Sequence, residues 1–183
     1  MTEAPAPGGK LREWVRTIGF AVVAWLFLRT FLVQAFHITS ESMEGTLLTG
    51  DVLWVARPTF GAKIPFTNAL LPGFREPRHG DIVVFESVET AGLDVVKRVI
   101  GLPGDTLAMR DGTIVRNGVP QAEPYAHRDR PGEPDPNGSQ AQMRAWQEAR
   151  LVGPRPATYQ PDRNNWGPLV VPAASLFVMG DNR

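Results

Sequence analysis

Two kinds of hydrophobic patterning divide the chain. Near the N-terminus, residues 18–28 form a strongly apolar run behind Lys10, Arg12 and Arg16, and Arg29 separates it from a second apolar patch at 31–36. Beyond residue 50 the apolar positions come in short runs bounded by Gly, Pro and Asp, the pattern of strands joined by tight turns. A strand is expected at 51–55 after Gly50, another at 82–85 behind the turn Arg78-His79-Gly80-Asp81, and a third at 94–100 with Lys97 in its middle. The clearest hairpin signal places 106–109 and 113–115 either side of Arg110-Asp111-Gly112, with a second turn at Asn117-Gly118. Residues 120–168 shift to Pro, Gly, Asp, Arg and Asn, interrupted by a helical island at 139–151 that Ser139 is placed to cap. Strand character returns at 169–171 and 176–179.

The N-terminal run admits three readings. Alone, 18–28 suits a signal-peptide core or a buried helix, but 14–33 reaches the ~20 residues a membrane span needs. Arg16 and Arg29 would then lie near its ends, with Trp14 at one interface. Gln34-Ala35-Phe36 is too bulky for the small-x-small site that cleavage wants, so an uncleaved anchor is expected, with the basic flank inside. Residues 58–77 form a Gly/Pro-punctuated loop carrying Ile64, Phe66, Leu70 and Leu71. It either folds onto the core or dips into a membrane interface.

Composition narrows the function classes. Nineteen basic residues balance nineteen acidic ones, which argues against a general nucleic-acid binder. Seventeen prolines and eighteen glycines favour a loop-rich, mainly β chain. The absence of cysteine excludes disulfides, thiol nucleophiles and cysteine-ligated metals, and the three histidines stand at no metal-ligand spacing.

Ser40 and Ser42 lie one residue apart between the apolar N-terminal segment and the first strand. A Ser-x-Ser is ordinarily turn chemistry, and a serine hydroxyl becomes a nucleophile only beside a base. His37 is close in sequence to Ser42, and His79 and His127 fall in polar turns. Lys97 interrupts an apolar strand, where desolvation would lower its pKa and make a neutral amine available. The same alternation also permits Lys97 to face solvent with Val96 inward. Asp51, Asp81 and Asp105 each follow glycine and are read as turn formers.

Four stretches, SESMEGTLLTGD, RHGDIVVF, VVKRVIGLPGD and WGPLVVPAASLFVMGDNR, occur in the order and form of the bacterial type I signal peptidases, which this chain resembles over most of 10–119 and 166–183. The resemblance implies a mainly β protein, an antiparallel β-sheet catalytic domain with a β-rich insertion, preceded by one N-terminal transmembrane helix. The corresponding division is a tail at 1–9, an anchor at 10–35, catalytic segments at 36–119 and 169–183, and an insertion at 120–168. It implies Ser42 as nucleophile, Lys97 as general base, and Ser40 with the Ser42 backbone N–H as oxyanion donors. Phe36, Ile38, Met43, Leu47, Leu53, Val95 and Val96 match the apolar positions lining shallow pockets for small residues. The implied partners are exported preproteins, cleaved after Ala-x-Ala sites, and the lipid bilayer. No metal, organic cofactor or nucleic acid is implied. The implied location is the cytoplasmic membrane, single-pass, with the catalytic domain on the outer face. Thr39 and Gly45 stand where many members carry proline, which implies a less rigid backbone around Ser42. The family continues past Gly-Asp-Asn-Arg to a serine that orients the lysine, so a chain cut short within that motif is expected. Two rivals are a noncatalytic membrane-tethered β module binding signal-peptide-like segments and a self-cleaving repressor-type Ser/Lys protein.

Overall fold

The computed structural model of the protein describes residues 7–31, 33–56, 59–61, 72–88, 90–127, 140–153 and 158–183. Two units make up the chain, Met1–His37 with Val52–Glu76, and Ile38–Asp51 with Pro77–Arg183.

The first unit opens with helix α1 (Pro7–Phe31), which begins at a proline, the residue whose fixed φ and missing N–H suit a first turn. Its apolar residues are not confined to one face: Leu11, Trp14, Phe20 and Val23 are all exposed. Among the described residues, no helix is long and apolar enough to cross a membrane. The side chains of 26–33 lie outside the described residues, so the expected span 14–33 is covered only in part. The helix stops at Phe31, and strand β1 (Val33–His37) follows, beginning inside the 10–35 expected for the anchor. β1 pairs antiparallel with β2 (Val52–Ala56), from Val33 opposite Ala56 to His37 opposite Val52. That ladder satisfies backbone groups which the apolar patch at 31–36 would otherwise leave open, and pairing overrides helix continuation. Ile64, Phe66, Leu70 and Leu71 of the predicted loop lie outside the described residues.

In the second unit, strands β3 (Ile82–Glu86) and β4 (Asp94–Gly101) form an antiparallel pair. A hairpin of β5 (Thr106–Arg110) and β6 (Thr113–Arg116) continues to β7 (Val119–Pro120). Its turns have positive φ at Asp111-Gly112 and Asn117-Gly118, the two-residue geometry that matches strand twist. Helix α2 (Gln140–Glu148) follows, then β8 (Trp166–Val170) and β9 (Phe177–Met179). The sheets run β3-β4-β9 and β7-β6-β5-β8. The described part of 120–168 holds a helix and, apart from the ends of β7 and β8, no named strand. α2 forms because Met143 and Gln147, four residues apart, turn to the interior together. The buried Gln147 amide is satisfied by the Tyr159 hydroxyl, which donates to Oε1 at 2.5 Å and accepts from the Gly167 N–H at 2.8 Å.

Three of the strand entries share one device. The carboxylates of Asp51, Asp81 and Asp105 accept the N–H three residues upstream, from Leu48, Arg78 and Leu102, at 2.9, 2.8 and 2.8 Å. They are turn formers, as expected, and the Asp105 carboxylate also meets His79 Nε2 at 2.7 Å and accepts from Asn117 Nδ2 at 2.8 Å. The core joins Ile100, Leu107, Met109, Ile114, Trp166, Leu169 and Val171, with Phe177 stacked 5.4 Å from Trp166.

Leu107 has no exposed surface. Leu107→Ala is therefore expected to cost about 3 kcal/mol in urea unfolding, with an unchanged m-value. A loss below about 1 kcal/mol would show that this layer collapses around the gap.

Candidate active site

Ser42 sits in a short 3-10 helix (Glu41–Met43) of the second unit, whose N-cap is Ser40. Ser40 Oγ accepts the Ser42 N–H at 3.2 Å, a short-range capping bond between the two predicted oxyanion donors. Lys97, at the middle of β4, reaches across 55 residues of sequence to place Nζ 2.5 Å from Ser42 Oγ. Of its two possible orientations, the structure adopts the one that covers the amine. Burial pulls the Lys97 ammonium below the ordinary lysine range, because leaving water disfavours the charged form.

The remaining predicted residues divide between the units. Ile38 and Met43 are buried, while Leu47, Val95 and Val96 are half-buried, all in the second unit. Phe36 and Leu53 face each other across the β1–β2 ladder of the first unit. A cleft of about 810 Å³ in the second unit is lined by Lys97, Ser40 and Val95, among others, and extends past Phe85 to Trp146 of α2. Among the described residues, no group of three or more His, Asp or Glu side chains is placed to hold a metal ion.

What holds serine against lysine lies mainly in residues that the sequence reading left without a role. Asp181 has no exposed surface. Its carboxylate accepts Arg98 Nε at 2.8 Å and Nη2 at 2.6 Å, and Thr46 Oγ1 at 2.6 Å. Burial alone would raise the Asp181 carboxyl, but hydrogen bonds from Arg98 and Thr46 and the Arg98 charge carry it below the usual carboxylate range. The Asp181 hydrogen bond in turn raises Arg98 further. The guanidinium also donates to the Gly80 carbonyl at 2.8 Å and stacks 4.0 Å from the centre of the Tyr125 ring. Burial, then the charge and hydrogen bond of Glu123, push the Tyr125 hydroxyl up to about 12, so it stays protonated and donates to Glu123.

The segment carrying Asp181 grips the Ser42 backbone directly. The Asn182 N–H donates to the Ser42 carbonyl at 3.1 Å, and Asn182 Nδ2 to the Glu41 carbonyl at 3.2 Å. Gly180 packs so closely that an added Cβ would collide with the Ser42 carbonyl oxygen. Arg183 Nη2 pairs with Glu123 at 2.6 Å and its Nε donates to the Gly180 carbonyl at 2.7 Å, locking the strip from its far side. The signal for this role was present as the Gly-Asp-Asn-Arg run, but no local pattern names Arg98 or Thr46 as its partners.

Because Asp181 is depressed in the folded state, its stabilisation is complete above the ordinary carboxylate pKa of about 4 and is lost as pH falls through the folded value. Asp181→Asn should lower unfolding free energy at pH 7 by about 3 kcal/mol, the cost of leaving a buried cation unpaired. It should also flatten the loss of stability below pH 4. Denaturant titrations at pH 7, 5, 4 and 3 check both, and an unchanged acid slope would remove Asp181 as the titrating group.

Comparisons with known proteins place the chain in a family. The family model described as signal peptidase, peptidase S26, matches residues 11–183. Signal peptidase I of Bacillus licheniformis is 35% identical over 185 residues, covering 100% of this chain and 81% of that protein. The corresponding enzyme of Leptolyngbya laminosa is 33% identical over 186 residues, covering 98% of this chain and 70% of its own. A crystal structure of a signal peptidase I from Enterococcus faecalis is 30% identical, with a TM-score of 0.36, over 60% of this chain and 80% of that one. With a family match over residues 11–183 and a relative 35% identical over the whole of this chain, the chain belongs to the signal peptidase I family of serine peptidases.

Proposed function

We propose that this chain is a membrane-anchored endopeptidase that removes signal peptides from exported preproteins, with Ser42 as nucleophile and Lys97 as general base. The observation that carries this is the 2.5 Å approach of Lys97 Nζ to Ser42 Oγ in a member of that family. As Oγ attacks the scissile carbonyl, a neutral Nζ takes its proton and the carbonyl π electrons move onto oxygen. Collapse of the tetrahedral intermediate breaks the C–N bond, and the Lys97 ammonium returns the proton to the departing amine. A water molecule, deprotonated by the same lysine, then attacks the acyl-serine; the C–Oγ bond breaks, the lysine returns the proton to Ser42 Oγ, and the signal peptide is freed.

The oxyanion role asks for one rearrangement. The Ser42 N–H is engaged by Ser40 Oγ in this structure. An incoming carbonyl oxygen would take over that N–H while the Ser40 hydroxyl rotates to donate as a second partner. Ile38, Met43, Leu47, Val95 and Val96 are apolar and at least half-covered, which suits shallow pockets that admit alanine and exclude bulk. The exposure of apolar side chains around α1 supports an anchor in lipid, and Lys10, Arg12 and Arg16 favour an N-terminus on the cytoplasmic side.

On an Ala-x-Ala preprotein, Ser42→Ala and Lys97→Arg should both abolish turnover, since arginine keeps its charge and cannot serve as a neutral base. Ser40→Ala should lose about 100-fold, the effect of one oxyanion donor. Wild-type kcat/KM should rise with pH and level off at an apparent pKa below the ordinary lysine value of about 10.4. Near-full activity in Lys97→Arg would require a different base.

Val119 is 60% exposed, and the chain has no other thiol to compete with an introduced one. Val119→Cys should be labelled by an impermeant thiol reagent in intact spheroplasts. Labelling only after lysis would reverse the topology.

A further inference from the structure

Gly45, three residues after the nucleophile, has φ +88°, a conformation that proline, fixed near −65°, cannot adopt. The flexibility expected from losing proline at this position is opposed by a side chain from elsewhere in the chain. A Cβ built on Gly45 would lie 2.5 Å from His127 Cε1, 2.8 Å from Nδ1 and 3.2 Å from Nε2, so the imidazole occupies that space. His127 is itself fixed by backbone on both sides: its N–H donates to the Asp181 carbonyl and its carbonyl accepts the Arg183 N–H, each at 2.9 Å. Its strand-like partner is Asn182, the residue whose N–H holds the Ser42 carbonyl. On the other side of Gly45, the Leu47 N–H closes the turn onto the Met43 carbonyl at 2.8 Å, and Thr46 is tied to Asp181.

We propose that His127 is a positioning residue: its ring is the wedge that fixes the 43–47 turn and thereby keeps Ser42 Oγ on Lys97. The ring acts through the backbone of Gly45, against which it packs. This rests on the Ser42–Lys97 assignment and adds to it a tertiary restraint on the turn at Gly45.

The test is a double-mutant cycle on the full chain, with kcat and KM measured on one Ala-x-Ala preprotein and folding verified by a melting point above the assay temperature. His127→Ala should lower kcat about tenfold with KM within about twofold, because misplacement of a reacting group by a fraction of an ångström slows chemistry without altering the pockets. Gly45→Ala, meeting both the ring and an unfavourable φ, should be slower still. In the His127→Ala background, Gly45→Ala should cost several-fold less than it does alone, since the ring it collides with is gone. If His127→Ala melts below the assay temperature, His127→Asn takes its place in the same cycle and must show the same relief. Wild-type kcat in the folded His127 variant, or losses that simply multiply, would overturn the proposal. Ser42→Ala separates the two ideas: if it retains turnover, the dyad itself is wrong, whereas a dead Ser42→Ala beside a fully active His127→Ala removes only the wedge.

Discussion

A carboxylate with no access to water cannot remain charged without a partner, and the site is arranged around satisfying Asp181. Its partner Arg98 adjoins Lys97 in β4, so the ion pair ties the 180–183 segment to the strand that carries the amine. Through Thr46 the same carboxylate reaches the turn after Ser42, and through Asn182 the same segment reaches the Ser42 carbonyl. Serine and lysine come from segments 55 residues apart, and the buried charge supplies the common reference that neither has locally. A pair of this kind contributes little net stability over an apolar substitute, yet breaking it costs several kcal/mol, so its main effect is to exclude other arrangements.

Strand alternation makes the division of labour possible. Successive side chains of a strand leave opposite faces, so Lys97 and Arg98 can serve different partners with no distortion of β4. Lys97 is directed to Ser42 and Arg98 to Asp181. Antiparallel pairing with Val83 and Met179 holds that register on both edges. A slip of one residue would point the permanently charged guanidinium at the serine, where it could donate but never accept a proton.

Much of the scaffold was legible because it rests on local chemistry. Asp111-Gly112 and Asn117-Gly118 can do little except turn, and the runs around them can do little except pair. Strand β1 was hidden because 31–36 continues the apolarity of the helix before it, and only its partner β2 identifies it as a strand. Lys97 was legible as a candidate and undecided as to face, since alternation fixes which residues share a side and not which side is covered. Arg98, Asp181 and Thr46 were not legible as a unit. Their contacts span 83 and 135 residues, and nothing in the local pattern of a Lys-Arg pair or a Gly-Asp-Asn-Arg run specifies the other.

Gly45 shows how such long-range contacts alter the meaning of a local substitution. Proline near a nucleophile restrains the backbone in the unfolded chain as well as the folded one, so its rigidity is present before any tertiary contact forms. Glycine gives that up and leaves the unfolded chain freer by several tenths of a kcal/mol or more. The His127 ring and the Thr46–Asp181 bond restore the restraint only after residues 127 and 180–183 have docked. Rigidity at Ser42 thus becomes a property of the assembled second unit. The turn that carries Ser42 is ordered by the same contacts that bring Lys97 to it, and a partly folded chain would present the serine without the lysine.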